Sequence, residues 1–411
     1  MANIVTGYQI NGTDIGNNLT NMVPKDYLID RYPELVDTFR FAGLWAAGLN
    51  SSGQLGDNSV TSSSSPVQTI SSGANWKYIS AGVNNAAAIK TDGTLWLWGN
   101  NTLGKLGNNS SSSVSSPVQT VSGGTNWKQV EVFDSHTAAI KTDGTLWLWG
   151  DGTGGKFGNN ASTNASSPVQ TVSGGTNWKQ VSGGLDNTVA IKTNGTLWLW
   201  GRNFYGQLGN NDSGDSTANK SSPVQTVSAG TNWKYVSCGE TFVTALKTDG
   251  TLWTWGRNNN GQLGDNTTTN KSSPIQTVAS GTNWKQVSAG GYYVAAIKTD
   301  GTLWSWGNNG TVGRLGDGTT TAKSSPVQTV SGGFNWKQVS CAPGLGAQTL
   351  AIKTDGTLWL WGANASGQLG TNDTTPQSSP VQTVAGGSNW MNISSGKDHI
   401  LAIRDNSNDL I

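Results

Sequence analysis

An all-β, seven-bladed β-propeller of four-stranded blades is the architecture this sequence predicts, and three observations predict it. The motif Trp-x-Trp-Gly recurs at Trp96–Gly99, Trp147–Gly150, Trp198–Gly201, Trp253–Gly256, Trp304–Gly307 and Trp359–Gly362, with a decayed copy at Trp45-Ala46-Ala47-Gly48. Successive copies lie 51 or 55 residues apart. A second tryptophan marks each unit, at Trp76, Trp127, Trp178, Trp233, Trp284, Trp336 and Trp390, and a proline keeps step at Pro66, Pro117, Pro168, Pro223, Pro274, Pro326 and Pro380. Self-similarity at a fixed period signals a repeat architecture, which overrides the two or three domains that 411 residues would otherwise suggest.

The strands follow from the unit itself. Asn126 to Val130 reads as a first strand and Thr137 to Lys141 as a second. Thr142-Asp143-Gly144 is a turn signal, because Asp-Gly tolerates the positive φ of a tight hairpin. Thr145 to Trp149 is the third strand, with tryptophans on one face and leucines on the other. Both its faces are then apolar and need a packed sheet on each side, which face-to-face blades supply. The glycines of Gly-x-Asn-x-x-Gly-x-Leu-Gly, as in Gly201, Asn203, Gly206, Leu208 and Gly209, mark a backbone bend. Ser-Ser-Pro-Val-Gln-Thr-Val becomes a fourth, outer strand, since proline is confined to strand starts and edges. Four strands repeated seven times make a propeller over residues 41–411. Residues 1–40 stand outside the repeat as an N-terminal adaptor segment, with Pro24 to Phe39 reading as one or two short helices.

Bulk properties narrow the partners. A net charge of +1, 12% charged residues and no long run of one sign argue against nucleic acid or an anionic membrane surface. No apolar run approaches the roughly 20 residues of a membrane helix, and the first residues lack the pattern of a secretory signal. The 20 tryptophans supply the core; thirteen belong to the first motif and seven to the second, leaving none over for a special role. Cys238 and Cys341 occupy equivalent positions in non-adjacent units, so they read as small buried residues rather than a disulfide.

The succession Gly-x-Asn-x-x-Gly-Gln-Leu-Gly, Val-x-x-Val-Ser-x-Gly and Ala-Ile-Lys-Thr-Asp-Gly-x-Leu-Trp-x-Trp-Gly resembles the regulator of chromosome condensation repeat family across roughly residues 41 to 404. That resemblance implies the seven-bladed fold. It leaves function open, because the family ranges from exchange factors for a small GTPase to inhibitors of secreted enzymes. It also implies how the ring closes: Leu44-Trp45 completes the last blade beside Leu401 to Arg404, removing a free sheet edge. The opening, Met1 to Leu19, resembles the start of phage virion proteins of the tail or fibre type.

Signals of chemistry are weak. Gly99 to Lys105 and Gly150 to Lys156 mimic a phosphate-binding loop, but Leu106 and Phe157 stand where the motif needs Ser or Thr. His136 and His399 share one repeat position and have no partners at ligand spacing, so no catalytic residue, metal or cofactor is expected. Lys90, Lys141, Lys192, Lys247, Lys298 and Lys353 recur in register, as do Asp92, Asp143, Asp249, Asp300 and Asp355, and read as a solvated rim.

Positions that differ between nearly identical units stand out instead, and they cluster between the first and second strands. The candidate binding residues are Asn84, Asn85, Asp134, His136, Asp186, Asn187, Glu240, Phe242, Tyr292, Tyr293, Asp398 and His399. Loops of one class emerge on one face, so these would form a single mixed surface suited to recognition. Neutral drift at exposed loops is the competing explanation. The preferred reading is a non-enzymatic structural or binding scaffold, a virion (tail, fibre or surface) component. It would contact protein partners, other virion proteins through residues 1–40, and a host-surface glycan or receptor. The alternative is a cytoplasmic regulatory propeller binding a GTPase or other protein.

Overall fold

Each blade is built outward from the axis by a meander whose turns are set locally. In blade 2, Trp127–Val132 is innermost, followed by His136–Lys141, Leu146–Gly150 and the outermost Ala165–Gln170. The turn between the second and third strands closes through Gly144 at φ 79°, whose amide donates to Lys141 O at 2.9 Å. Asp143 Oδ1 then accepts both the amide and the hydroxyl of Thr145 (2.9 and 2.7 Å), and Thr145 Oγ1 accepts Trp147 Nε1 at 2.9 Å. Lys141 lays its ammonium 4.8 and 4.9 Å from the rings of Trp127 and Trp147. The same sandwich recurs at Lys90, Lys192, Lys247, Lys298 and Lys353. The repeated Lys and Asp therefore hold hairpins and tryptophans in place, beyond decorating a solvated rim.

The computed structural model describes residues 9–10, 13–14, 42–70, 75–172, 175–228, 230–279, 281–330 and 333–405. Its seven four-stranded sheets are blade 1 (76–119), blade 2 (127–170), blade 3 (178–225), blade 4 (233–276), blade 5 (284–328), blade 6 (336–382) and a composite blade 7. Apart from one short pairing, Gln9–Ile10 with Thr13–Asp14, the expected adaptor and its helices lie outside the described residues.

The blades cohere through their tryptophans. Leu95 and Leu97 of blade 1 pack on Trp127 and Trp149 of blade 2, and Leu146 and Leu148 pack on Trp178 and Trp200 of blade 3. Each inner indole also hydrogen-bonds backward: Trp149 Nε1 donates to Lys105 O at 2.8 Å. Trp98, Trp200, Trp255, Trp306 and Trp361 do the same to Gln54, Lys156, Gln207, Gln262 and Arg314. Gly107, at φ 65°, must be glycine here, because a Cβ would fall 2.8 Å from Trp149 Nε1.

The innermost strands carry free edges into the axial channel, and side chains satisfy them. Gln129 brackets Val181, accepting its amide at 3.1 Å and donating to its carbonyl at 3.0 Å; Gln180 does so to Val236 and Gln286 to Val339. One residue-pair further along, Ser80 Oγ accepts the amide of Val132, and Ser182, Ser237, Ser288, Ser340 and Ser394 act likewise. Blade 2 departs from this layer with Glu131, which accepts from Tyr78, Gln129 and Ser80; burial raises its pKa. Cys238 and Cys341 are buried and free.

Closure joins the two ends of the repeat. Blade 7 consists of Trp390–Ser395 and His399–Asp405 from the C-terminal side, with Ala42–Gly48 and Ser63–Gln68 from the N-terminal side. Leu44 faces Ile403, Trp45 faces Ala402 and Ala46 faces Leu401, as the family resemblance implied. Leu44, 1% exposed, is buried against Leu401, Ile403, Trp76 and Trp98. Leu44→Ala is expected to cost about 2–4 kcal/mol, the range for a buried leucine truncation. A urea midpoint equal to that of the parent would show that this strand does not hold the ring.

Candidate interaction face

The turns between first and second strands and the bends after third strands emerge at the same end of the disc. Backbone hydrogen bonds join them: Arg202 N to Asp186 O, Asp151 N to Ser135 O and Asn100 N to Asn84 O, all 2.9 Å. Neighbouring turns also link around the axis, Leu185 N to Glu240 O, Glu240 N to Gly291 O and Gly291 N to Ala342 O.

This geometry splits the twelve expected surface residues. Asn84, Asp134, Asp186, Glu240, Tyr292 and Asp398 are half-buried at the surface, but Asn85, His136, Asn187, Phe242, Tyr293 and His399 are fully buried. The second group opens the second strand, opposite the glycine that ends the third, as in Tyr293 opposite Gly307 and His399 opposite Gly48. Its side chains fold back under the turn, over Gly82, Gly184, Gly239, Gly290 and Gly396, where a Cβ would collide with them. In blade 2, Phe133 takes the glycine's role and packs its ring 4.6 Å from that of His136. Tyr293 shows what these residues do instead: its hydroxyl donates to Gln348 O at 2.6 Å and accepts Ala342 N at 3.0 Å.

The two histidines are likewise structural. His136 Nε2 lies 3.1 Å from Thr188 Oγ1, and burial pushes its pKa down to about 3; burial also lowers that of His399, to about 4. The lysines of the two phosphate-loop mimics are committed within the fold. Lys105 donates to Asp134 O at 2.8 Å, and Lys156, 1% exposed, is held by Asp151 at 2.6 Å and Asp186 at 3.3 Å. Among the described residues, no three His, Cys, Asp or Glu side chains gather in a way that could hold a metal.

Three of the six surface residues converge. Asp186, Glu240 and Tyr292 wall a cleft of about 550 Å³ across blades 3 to 5. Arg202, Phe204, Tyr205 and Arg257, from the bends after third strands, line it as well. Phe204 is 61% exposed and stands edge-on to Tyr205, ring centroids 4.9 Å apart. The Arg257 guanidinium lies 4.8 Å from the Tyr205 ring and 5.6 Å from that of Tyr292. Burial, and then a shared hydrogen bond with Glu240, push the Tyr292 hydroxyl up to about 12. Burial raises the Glu240 pKa as well, and its Oε2 is enclosed without a hydrogen-bond partner. Asp186 is balanced by Lys156 and by Arg202 at 3.3 Å. Asn84, Asp134 and Asp398 lie outside this cleft.

Comparison with known proteins places the fold. Residues 43–402 match the model of the RCC1-like domain. The chain belongs to the RCC1-like domain family. Among its relatives, this RCC1-like propeller is 28% identical to the ultraviolet-B receptor UVR8 of Arabidopsis thaliana, over 81% of this chain and 76% of the receptor. It is 29% identical to the mitochondrial RCC1 domain-containing protein RUG3 of the same plant, over 69% and 64%. It is 30% identical to the human E3 ubiquitin-protein ligase HERC2, where 81% of this chain spans 7% of the ligase. Two crystal structures share the fold: human WBSCR16 (TM-score 0.78, 20% identity, covering 89% of this chain and 99% of that one) and Prp20p of Saccharomyces cerevisiae (0.78, 18%, 89% and 92%). These relatives overturn the virion expectation for both role and location. They are cellular proteins (a plant receptor, a mitochondrial protein and a ubiquitin ligase), and none supports the tail-fibre resemblance of the first residues.

Two outcomes test the division of surface from support. Tyr293→Ala should destabilise the RCC1-like propeller by about 3–5 kcal/mol, as for other buried aromatics, while Tyr292→Ala stays within about 1 kcal/mol. Equal denaturation midpoints for the two variants would contradict it. The histidines set a pH dependence. Below about 6.5 the unfolded chain takes up a proton on each, which the folded chain refuses until about 3 at His136 and about 4 at His399. Stability therefore falls as pH drops through that window, by at most about 1.4 kcal/mol per unit for each histidine. Replacing both by asparagine, the residue of blades 1 and 3 at this position, should flatten the melting-temperature profile between pH 6.5 and 4.5. An unchanged slope in the double variant would assign the effect elsewhere.

Proposed function

We propose that this chain is a non-catalytic regulatory propeller that engages a protein partner through the cleft across blades 3 to 5. The observation that carries this reading is the exposed Phe204 beside two tyrosines bridged by Arg257, in a cleft that Glu240 also lines. Aromatic and arginine side chains dominate binding energy when a partner excludes water from them. Glu240 adds a half-buried carboxyl to the same wall, its pKa raised by burial. The absence of chemistry is supported by the same geometry: both histidines of the chain sit behind the turns, and Asp186 is neutralised by Lys156 and Arg202. Prp20p, which shares the fold, is described with binding properties toward Gsp1p and histones. A folded protein of the small-GTPase kind is accordingly the first partner to try.

The test is differential capture. Phe204→Ala combined with Arg257→Ala should leave the circular dichroism spectrum and melting temperature unchanged, because both positions lie at the cleft surface. The double variant should weaken partner binding by more than about 1 kcal/mol, with Gsp1p as the first purified probe and the source-cell proteome as the second. Identical sets of proteins retained by parent and variant would remove the cleft as the binding surface.

A further inference from the structure

The face opposite the cleft carries a different pattern of charge. Each innermost strand begins with a β-bulge, where the tryptophan pairs with the second strand and the next residue is left unpaired. In six blades that extra residue is lysine: Lys77, Lys128, Lys179, Lys234, Lys285 and Lys337; in blade 7 it is Met391. All six lysines are exposed, and none has an ion-pair partner among the described residues. They differ in this from the lysines that end the second strands, which are pinned between tryptophans. Successive innermost strands approach within 8 Å, Cα to Cα, all the way around the axis. The six lysines therefore stand at the starts of strands arranged around the axis, on the face opposite the cleft.

Two further features bound what this ring can hold. The turns between second and third strands, radially outside it on the same face, bear exposed Asp92, Asp143, Asp249, Asp300 and Asp355. A duplex or a flat anionic membrane laid across the face would meet that acidic rim, whereas an anion confined to the centre would meet lysines alone. Glu131 is the one acidic residue among those lining the channel. A net charge of +1 conceals this arrangement. We propose that the axial mouth opposite the cleft binds a compact polyphosphate, seated on the six lysines of the innermost strands. Lysine suits that role, as a flexible point charge on a long stem that can converge on several phosphate oxygens at once. Like charges brought together without counterions also raise the local potential, which favours a small multivalent anion over a monovalent one.

Calorimetric titration of the full chain with inositol hexakisphosphate, and separately with inorganic tripolyphosphate, tests the proposal. Saturable one-to-one binding is expected, weakening steeply from about 0.05 to about 0.3 M salt because counterions are exchanged. Lys128→Gln, Lys179→Gln and Lys234→Gln together should weaken it at least tenfold, and the three corresponding arginine variants should retain it. Tighter binding of the hexakisphosphate than of tripolyphosphate would identify a ring-shaped over a linear ligand, both within the proposal. Absence of saturable binding at low salt, equal affinity in the glutamine variant, or displacement of the bound anion by a short DNA duplex at lower concentration would each overturn it. The Phe204→Ala, Arg257→Ala variant should bind as the parent does, so failure of the cleft reading and failure of this one are separately visible.

Discussion

The structure depends on a buried indole N–H that reaches from one blade to the backbone of the one before. Six of these bonds, such as Trp149 to Lys105 O and Trp255 to Gln207 O, cross six blade interfaces. Each lies inside an apolar contact, where an unmet donor would cost about 1–3 kcal/mol. The bond therefore dictates its surroundings. The carbonyl must be presented at one height, so the bend before Leu106 or Leu208 keeps one shape. The residue under the ring must be glycine. The leucines of the preceding blade must fill the opposite side of the indole.

Much of this was legible in the residues themselves, since period, strand order, hairpin turn and closing strand all leave marks in residue type. The closing strand was visible because Trp45 and Gly48 preserve half of a motif whose hairpin partner is missing from the local sequence. The site was legible only in part. Variation among repeats located the turns, but it could not say which residue of a turn faces water. Tyr292 and Tyr293 are adjacent and chemically identical, and the backbone sends one to the cleft and the other beneath Gly290. Recognising that the turn's first glycine leaves a space would have assigned the residue three positions later to fill it.

The other half of the cleft was missed because the bend after the third strand was read as a constant. Five of the six intact units read Gly-x-Asn there and the second reads Gly150-Asp151-Gly152, but only the third follows with two aromatics, as Gly201-Arg202-Asn203-Phe204-Tyr205. That unit also begins a 55-residue interval, and the longer loop contributes Asp215, Ser216 and Asn219 to the cleft wall. The same comparison between copies, applied to this second loop class, carries the signal. Net charge misled for a related reason: it averages over two faces that the fold sets apart.

Blade 7 is the one place where the indole clasp is absent, since Ala47 stands where every other third strand carries its inner tryptophan. It is also where the two ends of the repeat meet, residues separated by more than three hundred positions. During synthesis Ala42–Gly48 emerges well before its partner, and cannot pair until His399–Asp405 has followed. Until then the six finished blades form an open arc with two unsatisfied edges, one early and one late. The pairing that completes blade 7 is therefore the last that synthesis allows, and it covers both of those edges in one step.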